Sequence, residues 1–275
     1  MAGCSIANDP APTTGGISLG TVGAWHDRSD ADAQVLARDV TRGDLLRPCD
    51  AAGVDSPIRR GSTVHRPARG NTEFTQRLLS HLEDSGAGWS PRALGFDEEG
   101  REVVTWIPGE VATSGEEVDM TELARIVRDL HDLTNGLVAG FECVIHDDLQ
   151  PRNTIVRERR PVGLIDWEQA RPGRRVEDVA NLCWSFAEPT PDGDREHVAQ
   201  QWRSVVDAYG LDEREAVVST VLSRMAVCAE DIEREPARGS ARHRALAERG
   251  DHLAIGSMRA WVVTNAKFLQ SALIA

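Results

Sequence analysis

Val144-Ile145-His146-Asp147-Asp148-Leu149-Gln150-Pro151-Arg152-Asn153-Thr154-Ile155-Val156 decides the fold, together with Gly163-Leu164-Ile165-Asp166-Trp167-Glu168 a few residues on. Val144-Ile145 and Thr154-Ile155-Val156 are short apolar, β-branched runs, which read as strands. The polar residues between them form a loop whose shape Pro151 restricts. Gly163-Leu164-Ile165 reads as a further strand, the hairpin partner of the second, and it ends on Asp166. This layout brings Asp148, Asn153 and Asp166 to one rim: a carboxylate, an amide and a second carboxylate. Hard oxygen donors of this kind hold Mg²⁺ through one or two carboxylates, with substrate phosphates completing the shell. A remaining carboxylate can accept the proton of an attacking hydroxyl. Taken singly, Asp and Asn are also ordinary loop residues; their order and spacing are what mark a site.

Upstream of this stretch the patterns are mixed. Ser62-Thr63-Val64-His65-Arg66 reads as a strand stopped by Pro67, and Glu73–Glu83 as a helix with Phe74, Leu78, Leu79 and Leu82 on one face. Arg92–Phe96 and Arg101–Ile107 read as two strands joined by the turn Asp97-Glu98-Glu99-Gly100. Pro108-Gly109 breaks the pattern, and the rest is expected to be mostly helical. Met120–Leu133 forms a helix with Thr121 as its N-cap, and longer helical patterns run through Val198–Tyr209, Glu213–Ile232 and Leu253–Leu273. The fold class expected is α+β, with a small β-rich lobe over residues 46–108 and a larger, mainly helical lobe over 109–275. Residues 1–45, rich in Gly, Pro, Thr, Asp and Ala, read as a disordered extension with one short helical pattern at Ala31–Val40.

Composition narrows the chemistry. The chain of 275 residues carries 44 Asp and Glu against 31 Lys and Arg, a net charge of −13. Sequence-independent nucleic-acid binding needs clustered positive charge, so a nucleic-acid partner is not expected. Of the basic residues only Lys267 is lysine, so mechanisms built on a lysine must use that residue or do without. No apolar run approaches the roughly 20 residues of a membrane span, and the start has neither a basic nor an apolar leader segment. Five scattered cysteines without a C-x-x-C pair suit reduced thiols in a cytoplasmic protein, with Cys143 and Cys183 in the core. Trp167 and Trp184 are expected in the core as well.

H-x-D-L-x-P-x-N at His146–Asn153, with I-D-W-E at Ile165–Glu168, resembles the catalytic core of the aminoglycoside phosphotransferase family. That family shares the protein-kinase-like fold and includes choline, homoserine and fructosamine kinases. The resemblance extends to Glu177-Asp178-Val179-Ala180-Asn181-Leu182, to the hinge-like Trp106-Ile107-Pro108-Gly109-Glu110, and to the helix end Leu130-His131-Asp132. It spans roughly Ser62 to Phe186, about half the chain. It implies a bilobal kinase-like fold, ATP and Mg²⁺ as cofactors, and a small-molecule hydroxyl as acceptor.

Carried over by position, Asp148 is the general base or hydroxyl-positioning residue, and Asn153 and Asp166 hold Mg²⁺ on the ATP phosphates. His146 braces the loop, and Asp178 fixes its backbone by accepting amide hydrogen bonds. Trp106 and Ile107 lie along the adenine. Arg66 occupies the strand where the family usually places its phosphate-pairing lysine, and Arg152 is a candidate cation over the transferring phosphoryl group. By residue type alone, Asp178 serves equally as a helix N-cap and Arg66 as a solvated strand-end charge.

This sequence departs from the family pattern in several places. The small-lobe strand has no lysine, and the helix-borne glutamate that normally orients it has Glu73 and Gln76 as its candidates. There is no G-x-G-x-x-G. Asp147 replaces a small residue and is expected to add negative charge beside the metal site, and Gln150 replaces a basic or imidazole group. Two functions remain open. One is a Mg·ATP-dependent phosphotransferase acting on a small molecule, for instance an aminoglycoside-like antibiotic. The other is a catalytically weak kinase-fold binding module, of the kind that serves immunity to, or tailoring of, peptide antibiotics.

Overall fold

The computed structural model describes residues 57–275 apart from 188, 191–192 and 235–240. The expected extension over 1–45, its short helix at Ala31–Val40 and the first residues of the small lobe lie outside the described residues.

The small lobe begins with a hairpin, β1 (Ile58–Arg60) and β2 (Thr63–Arg66). Helix α1 (Thr72–Asp84) follows, then β3 (Ala93–Phe96) and β4 (Glu102–Thr105). The strands form one antiparallel sheet in the order β1-β2-β4-β3, with Val64 opposite Val104 and Arg66 opposite Glu102. Leu78, Leu79 and Leu82 of α1 are fully buried, each contributing about 1.5–3 kcal/mol of hydrophobic burial. The Asp97–Gly100 turn closes as its sequence predicts: the Asp97 carboxylate accepts from the Glu99 and Arg101 amides at 3.1 and 2.7 Å. Asn71 precedes α1 without capping it. Its side-chain amide instead donates to the Glu168 and Ala170 carbonyls at 3.1 and 3.0 Å, tying the helix to the segment that follows Asp166.

The connection between lobes runs through Trp106–Gly109 into β5 (Glu110–Val111). Gly109 has φ +151°, and a Cβ there would lie 2.5 Å from Ile155 Cγ2 and 2.8 Å from the Val156 carbonyl oxygen. Only glycine lets the hinge lie this close to the next strands.

In the large lobe, α2 (Met120–Leu133) buries Leu123, Ile126, Val127 and Leu130. Its N-cap is Asp119, not the expected Thr121: the Asp119 carboxylate accepts from the Thr121 and Glu122 amides at 3.0 and 3.1 Å. A residue with helical backbone cannot satisfy its own first-turn amides, and Thr121 already lies inside the helix. Strands β6 (Cys143–Ile145), β7 (Thr154–Arg157), β8 (Arg160–Leu164) and β9 (Arg171–Gly173) then form two small antiparallel sheets, β5-β7-β8 and β6-β9. The β7-β8 hairpin matches the sequence reading, whereas β5 and β9 are additions to it.

Helices α3 (Arg175–Ala187), α4 (Arg195–Tyr209), α5 (Val217–Arg234), α6 (Ala241–Arg249) and α7 (Asp251–Ile274) complete the lobe. Helix α5 packs on α7 and α3, and α4 packs on α2. Trp167 and Trp202 are fully buried, and Trp184 nearly so. Cys143, Cys183 and Cys228 are buried free thiols, and burial pushes Cys143 up to about 12. Among the described residues, no helix is long and apolar enough to cross a membrane.

Gly109→Ala should lower the unfolding free energy by about 1–3 kcal/mol, combining backbone strain with overpacking. Gly70→Ala, with nothing within 4 Å of the added methyl, should stay within about 0.5 kcal/mol of wild type. Urea denaturation of the two variants checks the contrast.

Candidate active site

His146–Asn153 runs from the end of β6 to the start of β7, closing in a 3₁₀ turn over Pro151–Asn153. Asp178, completely buried in the first turn of α3, holds its start. One carboxylate oxygen accepts from the Asp147 amide at 2.9 Å; the other accepts from the His146 amide at 2.7 Å and from His131 Nε2 at 3.2 Å. Burial alone would raise this carboxyl group. The hydrogen bond and charge of His131 and the amide bonds outweigh burial and hold it below its ordinary value of 3.8. His131 Nδ1 meets the Tyr209 hydroxyl at 2.7 Å, and Arg175 donates to the same hydroxyl at 3.4 Å. Helices α2, α3 and α4 thus converge on one loop through a continuous buried chain.

Asp147 has φ +66°, a left-handed conformation that Asp tolerates better than most residues. Its buried carboxylate does not add bare charge to the site, contrary to expectation. Arg171 Nε donates to it at 2.6 Å, Arg224 Nη2 meets its other oxygen at 2.6 Å, and Glu177 closes the network through Arg171 at 2.6 Å. Burial works against the Arg171 charge, but Asp147 and Glu177 raise its pKa above the ordinary value. The next residue, Asp148, is also buried. It accepts from the Gln150 side chain and from Asn153 Nδ2, the latter at 2.9 Å. Asn153 Nδ2 also donates to the Asp148 carbonyl at 2.8 Å. With the nitrogen committed, the side-chain carbonyl oxygen of Asn153 is the atom available to a cation.

Asp166 ends the segment after β8, again left-handed at φ +65°, with a half-exposed carboxylate. The Ile165 amide donates to the Asn153 carbonyl at 2.9 Å, and His146 Nε2 donates to the Ile165 carbonyl at 3.1 Å. The loop and the Asp166 segment are therefore stitched together on both sides. His146 also packs on Trp167, with centroids 4.6 Å apart.

Between the lobes lies a cleft of about 420 Å³, within the range typical of small-molecule sites. Val64, Val104, Ile107 and Ile155 supply apolar lining, and Arg66, Asn153 and Asp166 supply polar lining. Trp106 also lines it, and the Arg59 guanidinium lies 4.2 Å from the centre of its ring. Asp148 and Arg152 belong to the loop beside the cleft and do not line it.

Arg66 is not a solvated strand-end charge. Its Nε donates to Glu102 at 2.5 Å and its Nη1 stands 3.8 Å from Asp166. Of the two helix candidates, Glu73 pairs with Arg77 at the surface, while Gln76 donates to Glu102 at 2.8 Å. Glu102 is absent from the sequence-based site because its role depends on strand register. An acidic residue opening the apolar run Val103-Val104 was its one visible signal.

A family model described as the phosphotransferase enzyme family matches residues 134–216, a span that includes Asp148, Asn153, Asp166 and Asp178. A curated relative, the trifolitoxin immunity protein of Rhizobium leguminosarum bv. trifolii, is 34% identical over 191 aligned positions. These take in 59% of this chain and 73% of the relative.

The chain belongs to the phosphotransferase enzyme family.

Solved structures show that this phosphotransferase-family chain has the α+β, bilobal, protein-kinase-like fold. A choline/ethanolamine kinase family protein from Mesorhizobium loti superposes with a TM-score of 0.55 at 17% identity, covering 90% of this chain and 99% of that one. A macrolide 2′-phosphotransferase from Brachybacterium faecium gives 0.52 at 17% identity, over 71% and 88% of the two chains. An aminoglycoside phosphotransferase from Streptomyces rimosus, solved with ADP and streptomycin, gives 0.52 at 15%, over 64% and 90%.

Asp178→Asn should cost about 3 kcal/mol or more at pH 7, because one loop amide loses its acceptor and the His131 pair is broken. A carboxylate with a depressed folded pKa stabilises above its unfolded value of 3.8, and that contribution is lost as pH falls through the lower folded value. The gap between wild type and variant in urea denaturation should therefore be full at pH 7 and smaller near pH 3.

Proposed function

We propose that this protein transfers the γ-phosphoryl group of Mg·ATP to a hydroxyl of a small molecule, and that the transfer protects its host against a toxic natural product. The observation that carries the reading is that Asn153 and Asp166 line one apolar-walled cleft while Asp148, hydrogen-bonded to Asn153, stands in the loop beside it. Membership in the phosphotransferase family supports the reaction class. The name of the immunity relative supports the protective role.

The residues fit a nucleotide with its metal. Apolar side chains from both lobes suit a base, with Ile107 and Trp106 beside it. The Asn153 carbonyl oxygen and the Asp166 carboxylate are hard donors suited to Mg²⁺. Among the described residues, no group of three His, Cys, Asp or Glu side chains stands ready to hold a metal unaided, so phosphate oxygens would complete the shell. Magnesium there would neutralise phosphate charge as the transferred group moves.

In this reading, Asp148 receives the acceptor hydroxyl's proton while that oxygen bonds to the γ-phosphorus and the bond to the bridging oxygen of ADP breaks. The Gln150 and Asn153 side chains hold the Asp148 carboxylate in place. Arg66 pairs with the phosphates, and Arg152, in the 3₁₀ turn beside Asp148, adds positive charge near the transferring group. His146 and Asp178 keep the loop in this shape.

A second reading, a binding module with little transfer, is favoured by the missing small-lobe lysine and by the immunity relative. The two separate on turnover. Wild type should show a Mg-dependent thermal shift with ATP and measurable ATP turnover. Asp148→Asn should retain nucleotide affinity while losing about 10²–10⁴ in rate. Mg·ATP binding with no turnover across a broad panel of hydroxylated natural products would favour the binding module. Arg66→Ala should raise the KM for ATP and Arg66→Lys should recover part of it; an unchanged KM in both would remove this strand from the nucleotide site.

A further inference from the structure

Glu102 is a carboxylate buried in a β-sheet, 3% exposed, on the strand facing the catalytic cleft. Burying such a group is costly unless its oxygens are paired. Here each oxygen has its own donor: Arg66 Nε at 2.5 Å on one and Gln76 Nε2 at 2.8 Å on the other. Gln76 is fixed in turn, its carbonyl oxygen accepting from the Gly95 amide at 3.0 Å. Arg66 and Glu102 are direct cross-strand partners in the β2-β4 register, so the pair is built into the ladder.

Glu102 takes the inner nitrogen, Nε, of the guanidinium. Arg66 lines the cleft, and its outer nitrogen Nη1 stands 3.8 Å from Asp166. An arginine held by Nε alone still presents its outer nitrogens as a two-pronged donor, the geometry that suits phosphate oxygens. A carboxylate bound to both outer nitrogens would have consumed that donor. From this division of labour, and resting on the nucleotide reading of the cleft, we propose that Glu102 is a positioning residue that aims Arg66 at the nucleotide phosphates, with Gln76 orienting Glu102. The orienting charge lies on the neighbouring strand, and α1 contributes a neutral hydrogen bond. The aim of Arg66 is therefore set within the sheet and not by the placement of a helix-borne charge.

Equilibrium binding of two probes to the full chain tests this. Mg·ATP carries phosphates and adenosine does not, so a positioning role affects the first alone, whereas general damage to the lobe weakens both. Glu102→Gln should weaken Mg·ATP about tenfold, the scale of one misaligned charge-assisted bond, with adenosine affinity unchanged. Gln76→Met leaves the Arg66–Glu102 pair in place and should weaken Mg·ATP about threefold, a smaller loss for a neutral bond. It carries the test if Glu102→Gln fails to fold. The double exchange Gln76→Glu with Glu102→Gln keeps the net charge but moves the carboxylate to the helix, and should bind Mg·ATP as weakly as Glu102→Gln alone. Recovery to wild-type affinity in that double variant would overturn the inference, as would unchanged Mg·ATP affinity in the single variants or equal losses for both probes. A wild-type chain that binds no Mg·ATP would instead reject the nucleotide reading, and the inference would fall with it.

Discussion

A single buried carboxylate, that of Asp178, sets the shape of the His146–Asn153 loop. An ionised group without solvent must be satisfied by fixed donors, and two of the donors here are consecutive backbone amides, those of His146 and Asp147. Fixing two successive amides fixes the peptide plane between them and pins the start of the loop. Asp148 follows at once, so its carboxylate inherits a defined position next to Gln150 and Asn153. The third donor, His131, extends the constraint to Tyr209, the chain's single tyrosine. A change in the packing of α2 against α4 would be felt at the loop through two side chains.

The left-handed residues Asp147 and Asp166 show how the loop accommodates this constraint. Each carries about 1 kcal/mol or more of backbone strain that surrounding bonds must offset. At Asp147 the compensation is electrostatic. Arg171 and Arg224 reach its buried carboxylate from β9 and α5, and the Arg171 fork also bonds Glu177. One guanidinium serving two carboxylates at 2.6 Å each is a planar, multi-donor arrangement that a lysine ammonium does not reproduce. A chain with one lysine therefore loses nothing at this position.

Short-range pattern made much of the structure legible. The limits of α2, the apolar face of α1 and the Asp97–Gly100 turn follow from side-chain spacing and turn chemistry, which act over a few residues. The strand-and-loop spacing likewise placed Asp148, Asn153 and Asp166 on neighbouring loops, whereas His146 and Asp178 were singled out by the family resemblance and not by any local pattern. Strand β9 was not visible, because Arg171-Pro172-Gly173 has neither β-branching nor alternation and becomes a strand only by pairing with Cys143–Ile145. Glu102 escaped because a cross-strand partner is fixed by register, which no local window contains. The neutralisation of Asp147 escaped because Arg224 lies 77 residues away in sequence and arrives only through helix packing. These three share one trait, a contact between distant segments, whereas the Asp119 cap of α2 was a local signal misplaced by two residues.

The proposed roles of all these groups depend on where a nucleotide sits relative to them. A crystal structure of the full chain with Mg²⁺ and a non-hydrolysable ATP analogue tests those roles most directly. The base is expected between Ile107 and Val64, the metal between Asn153 and Asp166, the outer nitrogens of Arg66 on phosphate oxygens, and Asp148 facing the terminal phosphate. A nucleotide bound outside this cleft, or one bound within it while Arg66 stays on Asp166 and touches no phosphate, would contradict those roles.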